Sequence, residues 1–237
     1  MAPRLSRRAW LRSAAAAPLA AWPARVFAQA PSVRASRPTD IRVVEVQHAF
    51  RSYRYRAPYQ FGGRSVDRVT LLDVDVRVRR GDGREAWGFG SMPLGNAWAF
   101  PAAGQDDGLG AMQALADELR SVTAACDEAG HPIDLFRALE PAYLRAAADV
   151  SRARRLAVPI PKLCTLVVAS PFDAAMHDAY GKAFGVSAYA TYNSSFMRQD
   201  LSIDLGSSFR GEYLNRYVAV EPRATMPVFH SVGASDP

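Results

Sequence analysis

Cysteine is scarce in this sequence: Cys126 and Cys164 are the only two among 237 residues. Neither lies at ligand spacing from another cysteine or a histidine, which argues against a Cys/His metal centre. In an oxidising compartment the two could pair. Both lie among apolar residues, however, where a free thiol behaves as a small hydrophobic side chain. The sequence therefore leaves a disulfide open.

Long apolar runs and common hydrolase motifs are also lacking. The apolar stretch near the N-terminus is interrupted by Pro18 and Pro23 and is too short to span a bilayer. No G-x-S-x-G nucleophile elbow is present, which argues against a serine hydrolase.

Acidic residues are missing from residues 1–30, which have the features of an export signal. Ser6 to Arg12 (SRRAWLR) resembles the twin-arginine consensus, and an Ala/Leu-rich stretch and the small-x-small site Ala28-Gln29-Ala30 follow. The alternative is a buried N-terminal helix. We expect a periplasmic or secreted protein that does not associate with the membrane after cleavage.

The formal charge of +6 largely belongs to this leader. It holds five arginines (4, 7, 8, 12 and 25), so subtracting five from 29 leaves 24 basic against 23 acidic residues. A net charge of about +1 does not call for a polyanion, and we expect no nucleic-acid partner.

Strand patterns dominate the next part of the chain. Residues 41–46 alternate, an aromatic and basic loop is predicted over 52–65, and 69–78 form a long β-branched run with a period of two. Gly81-Asp82-Gly83 predicts a hairpin turn into a partner strand at 85–90. Together these predict a three-stranded antiparallel meander.

Three helical patterns follow the meander. Apolar residues fall at helical spacing over 109–126, with Gly130 as the predicted stop, and over 133–147, where Pro141 predicts a kink. A third stripe runs over 172–183. No internal repeat is present.

The third stripe belongs to SPFDAAMHDAYGKAFG (170–185), which also carries charge. Asp178 and Lys182 form an i,i+4 pair typical of a solvated face. Neighbouring positions such as His177 and Asp178 point about 100° apart and cannot relay a proton together. We favour a packing helix over a catalytic one, and both interpretations stay open.

The final third lacks clear periodicity apart from a short helical tendency over 209–217. Residues 188–224 are predicted to be irregular, and Met226 to Val232 reads as a buried strand. The carboxylates of this region are treated as solvated rather than as metal ligands (Asp200, Asp204 and Glu212).

The order of these patterns resembles the N-terminal capping domain of the enolase superfamily, in its mandelate racemase/muconate-lactonizing branch. The family's last cap helix reads approximately A-hydrophobic-D/E-x-A-L-x-D-x-x-G-K-x-x-G, and only Pro171 departs from its leading alanine. APYQFGGRSVDRVTLLDVDV is similar to the first loop and second strand, GREAWGFGSMPL to the third strand and second loop, and PVFHSVG to the first barrel strand. The matching positions of the helix are Asp173, Ala175, Met176, Asp178, Gly181, Lys182 and Gly185.

The resemblance implies an α+β fold: a three-stranded meander and a helical bundle, followed by only the first strand of a TIM-like barrel. The expected organisation has five parts: a signal peptide (1–30), a linker (31–39), the capping domain (40–187), an irregular linker (188–224) and the first barrel strand (225–237).

The resemblance also implies the chemistry. Family members abstract a proton α to a carboxylate, with Mg²⁺ held by acidic residues on later barrel strands that this sequence does not contain. We therefore expect the N-terminal portion of a racemase, epimerase or dehydratase of a small carboxylate. It would bind no cofactor and be inactive alone, without assignable catalytic or metal-binding residues. A homo-oligomer is compatible with this expectation.

By analogy, the cap contributes side chains that line the substrate site. The candidates are Tyr55, Arg56, Tyr59, Phe61, Met92, Leu94 and His230. Tyr59 and Phe61 could equally pack on the cap's own sheet, Arg56 could be solvated, and His230 could be an ordinary strand histidine.

A second hypothesis belongs to a different class: a non-catalytic periplasmic binding or interaction module derived from such a cap. Its apparent barrel strand would then dock to a partner or to a second copy, because an unpaired buried strand needs neighbours.

Overall fold

The computed structural model describes residues 37–61, 64–221 and 223–229. The predicted export signal and His230 therefore lie outside the described residues. Three strands come first, and helices follow them in the chain. The bounds are β1 Ile41–Phe61, β2 Arg64–Arg80, β3 Glu85–Pro93, α1 Asn96–Ala99, α2 Gln105–Ala124, α3 Pro132–Ala153, α4 Lys162–Phe184 and α5 Ser202–Leu205.

The strands form one antiparallel sheet in the order β1-β2-β3, which confirms the predicted meander and the α+β class. The turn between β2 and β3 is also confirmed: Gly83 has φ +86° and its N–H donates to the carbonyl of Arg80 at 3.0 Å. A positive φ at this position favours glycine.

The predicted loop over 52–65 is wrong, because β1 and β2 continue as a hairpin arm on both sides of residues 62–63. Arg54 pairs with Arg68 and Tyr59 with Val66, so residues 55–58 lie opposite Asp67 alone. Pro58 has no N–H to give to a ladder, and an irregular stretch of this kind tolerates it. Alternation of side chains in SYRYR was compatible with a strand, but the aromatic and basic composition suggested a loop.

The inner face of the sheet packs against α4, which approaches β3 unusually closely. A Cβ atom added at Gly88 would lie 2.1 Å from the carbonyl oxygen of Ala175, and one at Gly90 would lie 2.1 Å from that of Pro171. Only glycine fits such an approach of helix to strand. These contacts fix the position of α4 across the sheet.

All three helical patterns are confirmed, but two boundaries differ. α2 ends at Ala124, six residues before Gly130, and Gly130 instead pairs with Ile41 through two backbone hydrogen bonds of 3.1 Å. α4 begins at Lys162, eight residues before the predicted stretch, and Pro171 lies inside it. The C-terminus of α4 lies where the sequence motif ends: Gly185 has φ +68°, the left-handed conformation that commonly ends helices.

Irregular structure follows α4, as expected for 188–224. It includes α5 and the 3₁₀ turns Ala188–Thr191, Ser207–Phe209 and Leu214–Arg216. Residues 225–229 adopt neither helix nor strand, and the rest of the predicted barrel strand lies outside the described residues, so that strand stays a prediction.

Two further findings concern the described residues. Cys126 and Cys164 are both free thiols there. Among the helices of the described ranges, none has the length and apolarity needed to cross a membrane.

Candidate functional site

The hairpin arm and the loop after β3 meet around a cleft of about 470 Å³. Tyr55 and Phe61 line it from the arm, and Leu94 and Trp98 line it from the segment that follows β3. The two segments are about thirty residues apart in the sequence. The antiparallel pairing of β2 with both neighbours brings them to the same end of the sheet.

Three of the predicted site residues are thus brought together: Tyr55, Phe61 and Leu94. Leu94 is 3% exposed, whereas Tyr55 and Phe61 are 40% and 44% exposed. The two aromatic side chains are therefore not buried on the sheet, which leaves them accessible to a ligand.

The remaining predicted residues lie elsewhere or outside the described residues. Met92 is opposite Leu72 in the sheet and packs against the core rather than lining the cleft. Arg56 is exposed and is not among the residues that line the cleft. The backbone of Tyr59 pairs with Val66, but its side chain is not described, and His230 lies outside the described residues.

Trp98 is the largest of the cleft residues that the sequence did not predict. It is 41% exposed and lies over Gly95, where an added Cβ atom would be 2.1 Å from the indole Nε1. A tryptophan four residues after Leu94, shortly after a predicted strand, was the available signal.

Polar groups border the cleft as well. Arg68 Nε donates to Asp67 Oδ1 at 3.1 Å, and this hydrogen bond lowers the pKa of the exposed Asp67 carboxyl. Thr70 also lines the cleft, and its carbonyl accepts the Leu94 N–H at 2.8 Å. That hydrogen bond ties the loop after β3 to the base of the arm.

A buried carboxylate stabilises the sheet where the arm leaves it. Asp73 is 5% exposed, accepts the Ser91 hydroxyl at 2.6 Å and lies 2.5 Å from Arg51 Nε. These contacts connect all three strands. A buried carboxylate needs such partners to offset its lost hydration.

The polar residues of α4 have structural partners. Asp178 Oδ2 accepts the backbone N–H of Phe89 at 2.8 Å and the Lys182 ammonium at 2.7 Å, so it ties α4 to β3. His177 Nε2 lies 3.6 Å from Asp173 Oδ1, too far for a hydrogen bond. The apolar stripe is buried, which favours the packing interpretation of this helix.

The described residues do not fit a Mg²⁺ site. Within residues 37–61, 64–221 and 223–229, no three His, Cys, Asp or Glu side chains are grouped to hold a metal ion. Three carboxylates of the irregular region have other partners: Asp200 accepts from Ser202 and Gly211, Asp204 pairs with Arg137, and Glu212 pairs with Arg216.

The chain is similar to solved structures of the enolase superfamily. An L-talarate/galactarate dehydratase variant liganded with Mg and L-glucarate is 20% identical, with a TM-score of 0.42. A mandelate racemase/muconate lactonizing enzyme-like protein from Rubrobacter xylanophilus is 17% identical (TM-score 0.37), as is an enolase from Bradyrhizobium complexed with magnesium and mandelic acid (TM-score 0.37).

Each of these similarities covers most of this chain but only part of the solved protein. The aligned regions span 72%, 64% and 63% of this chain, and 38%, 33% and 34% of the three solved chains in the same order. The chain therefore spans little more than a third of the first of them. No protein-family model and no curated protein matches the sequence.

Proposed function

We propose that the described unit is the capping domain of an exported enolase-superfamily enzyme. The enzyme would use Mg²⁺ to abstract the α-proton of a small carboxylate substrate and act as a racemase, epimerase or dehydratase. The cap would not supply the metal ligands, because the described residues offer no group of that kind. Those ligands would come from a barrel domain.

One observation carries the proposal: the two segments that the sequence resemblance assigns to substrate contact meet at a single cleft. Tyr55 and Phe61 approach from the arm, and Leu94 borders the cleft from the loop after β3. Exposed aromatic side chains on a hairpin arm can cover a substrate and exclude water from a reacting carbon acid. The remaining support is the order of motifs from the first strand to the last cap helix.

Export, and the absence of nucleic-acid and membrane partners in the mature protein, belong to the same proposal. They rest on the sequence of residues 1–30 and on the nearly balanced charge that remains without it. Transport by the twin-arginine route would suit an enzyme that folds before it crosses the membrane.

A first test compares two polypeptides. The gene beyond the codon for Pro237 should encode a K-x-K pair and spaced strand-end acids. The longer product should exchange the α-proton of a carboxylate with solvent deuterium, measured by NMR on galactarate, mandelate and a dipeptide. Residues 31–237 alone, and the longer product in EDTA, are the controls and should show no exchange.

One observation favours a second candidate, the non-catalytic binding module: Met226, Val228 and Phe229 are 74%, 91% and 97% exposed. Such apolar side chains are available to a partner. A stop codon directly after Pro237, together with a soluble and monodisperse product, would favour this module and contradict the enzyme.

A further inference from the structure

Two histidine rings, those of His131 and His177, meet edge to face beside the segment that follows α4. The rings of His131 and His177 are 5.7 Å apart, and both also contact Tyr192 at 6.0 and 5.6 Å. Tyr180 completes the aromatic shell around His131, with its ring at 4.8 Å. His131 has no exposed surface, so it is a buried titratable group outside the cleft described above.

The hydrogen bonds of His131 specify its neutral form. Its Nδ1 accepts the backbone N–H of Ile133 at 3.3 Å, which caps α3. Its Nε2 therefore carries the hydrogen and donates to Thr191 Oγ1 at 3.1 Å. The Thr191 hydroxyl then donates to the carbonyl of Ala188 at 2.6 Å. Protonation would place an N–H at Nδ1 directly against the Ile133 N–H, two donors with no acceptor between them.

We propose that His131 is a pH-dependent latch that holds residues 187–193 against α4 at neutral pH and releases them in mild acid. The 187–193 segment contains the 3₁₀ turn Ala188–Thr191 and Tyr192. Two of its contacts are to histidines: Thr191 lies at His131, and the Tyr192 hydroxyl lies 3.3 Å from His177 Nδ1. The Tyr192 carbonyl also accepts the Asn215 N–H at 2.9 Å, a contact that does not titrate.

A protonated His131 would keep its Nε2–H for Thr191, but it would face the Ile133 N–H and would have no exposed surface for hydration. Release of 187–193 would remove Thr191 and Tyr192 from around the ring and let water reach the cation.

Residues immediately after the segment have a different attachment. The Arg37 guanidinium donates to the carbonyls of Met197 at 3.0 Å and of Ser194 at 3.1 Å, and Arg198 pairs with the buried Asp40 carboxylate. Arginine stays charged throughout this pH range. Release should therefore stop near residue 194.

The direction of the pH effect follows from burial. Burial, and to a lesser degree the charge of a protonated His177, lowers the pKa of His131 from 6.5 to about 3, and burial lowers that of His177 to about 4. The closed state thus binds fewer protons than the released state between these values and 6.5. Closure is fully stable above pH 6.5 and loses stability as the pH falls.

Other titratable and charged groups face the pair and modify this effect. Burial raises the pKa of Asp173 from 3.8 to about 6, so its contribution to closure is lost as the pH rises through 6 and opposes that of the histidines. The pKa shifts of the two histidines together change the stability of the closed state more than the opposing shift of the one partly exposed carboxyl. The remaining groups line the adjoining cleft or lie on neighbouring elements: Asp178, Lys182, Tyr189, Tyr192, Tyr180 and Asp134.

Amide hydrogen exchange of the mature chain tests the latch. After correction for intrinsic chemistry, exchange in 187–193 should be about thirtyfold faster at pH 5.0 than at pH 7.5 from His131 alone, given a released pKa near 6.5. Residues 194–201 and β2 should change far less. Equal acceleration across the chain would mean global unfolding and would overturn the latch, as would an unchanged 187–193 segment.

Three variants assign the effect. His131→Gln keeps a side-chain donor for Thr191 but cannot be protonated. The ratio of exchange rates in 187–193 between pH 5.0 and pH 7.5 should therefore fall about thirtyfold below that of the wild type. His48→Gln, which removes the histidine paired with Asp117 between β1 and α2, should respond like the wild type. If His131→Gln fails to fold, Thr191→Val decides: it removes the acceptor of the His131 Nε2–H and should raise exchange in 187–193 already at pH 7.5. An unaltered ratio between the two pH values in His131→Gln, or unaltered exchange at pH 7.5 in Thr191→Val, contradicts the proposal.

Discussion

The two ends of the β1–β2 hairpin meet different surroundings, although they share the same strands. At the end nearest the β2–β3 turn, the inward-facing residues of β2 have no exposed surface at all (Leu72, Val74, Val76 and Val78). In the arm, the aromatic side chains are between 40% and 50% exposed (Tyr53, Tyr55 and Phe61). One end is therefore defined by packing against helices. The other is held by strand pairing and presents its side chains to a cleft.

The largest expected effect on stability comes from a substitution in the packed part of the sheet. Gly90→Val would place side-chain atoms where even a Cβ lies 2.1 Å from the Pro171 carbonyl oxygen, so α4 could not stay in place. We expect a loss of at least about 3 kcal/mol in the free energy of unfolding, measured by urea denaturation.

Gly81→Ala is the matched control, since a Cβ at that position meets nothing within 4 Å. It should change the free energy of unfolding by less than about 0.5 kcal/mol. A stable Gly90→Val variant with unchanged spectra would show that α4 does not lie on the glycines of β3.

A smaller effect is expected at the hydrogen bond between α4 and the edge strand. Asp178→Ala removes the acceptor of the Phe89 N–H and of the Lys182 ammonium, and should cost about 1–2 kcal/mol of unfolding free energy. Lys182→Ala removes only the exposed ion pair and should cost less than about 0.5 kcal/mol. Equal losses in the two variants would contradict the role given to Asp178.

The packed end was the part that sequence could predict. Period-two alternation over 69–78 and the apolar stripe over 172–183 are both consequences of a buried face, and both elements are present. The start of α4 was missed because residues 162–169 are apolar almost throughout and Pro171 suggested a boundary. Gly130 was taken for a helix stop because its pairing with Ile41 is a long-range contact.

The arm was harder to predict because its side chains are not sorted by burial. Without an inner and an outer face, alternation carries little information, and composition then suggests a loop. Trp98 could not be predicted from a burial pattern either, because its position at the cleft depends on how the segment after β3 folds. Contacts among loop residues were not predictable from local pattern.

The smallest effect on stability, and the largest on function, is expected in the arm. Phe61→Ala should change the free energy of unfolding by less than about 0.5 kcal/mol, because 44% of the residue is already exposed. Phe89→Ala is the matched control: Phe89 is 46% exposed on β3 and is absent from the cleft.

The most direct test of the account is kcat/KM for α-proton exchange by the longer gene product carrying each of these substitutions. If the arm covers the substrate, Phe61→Ala should lower kcat/KM by roughly tenfold or more, as expected for loss of 1–3 kcal/mol of apolar contact. Phe89→Ala should leave it within about twofold of the wild type. Equal values for the two variants would contradict a substrate-facing cleft between the arm and the loop after β3.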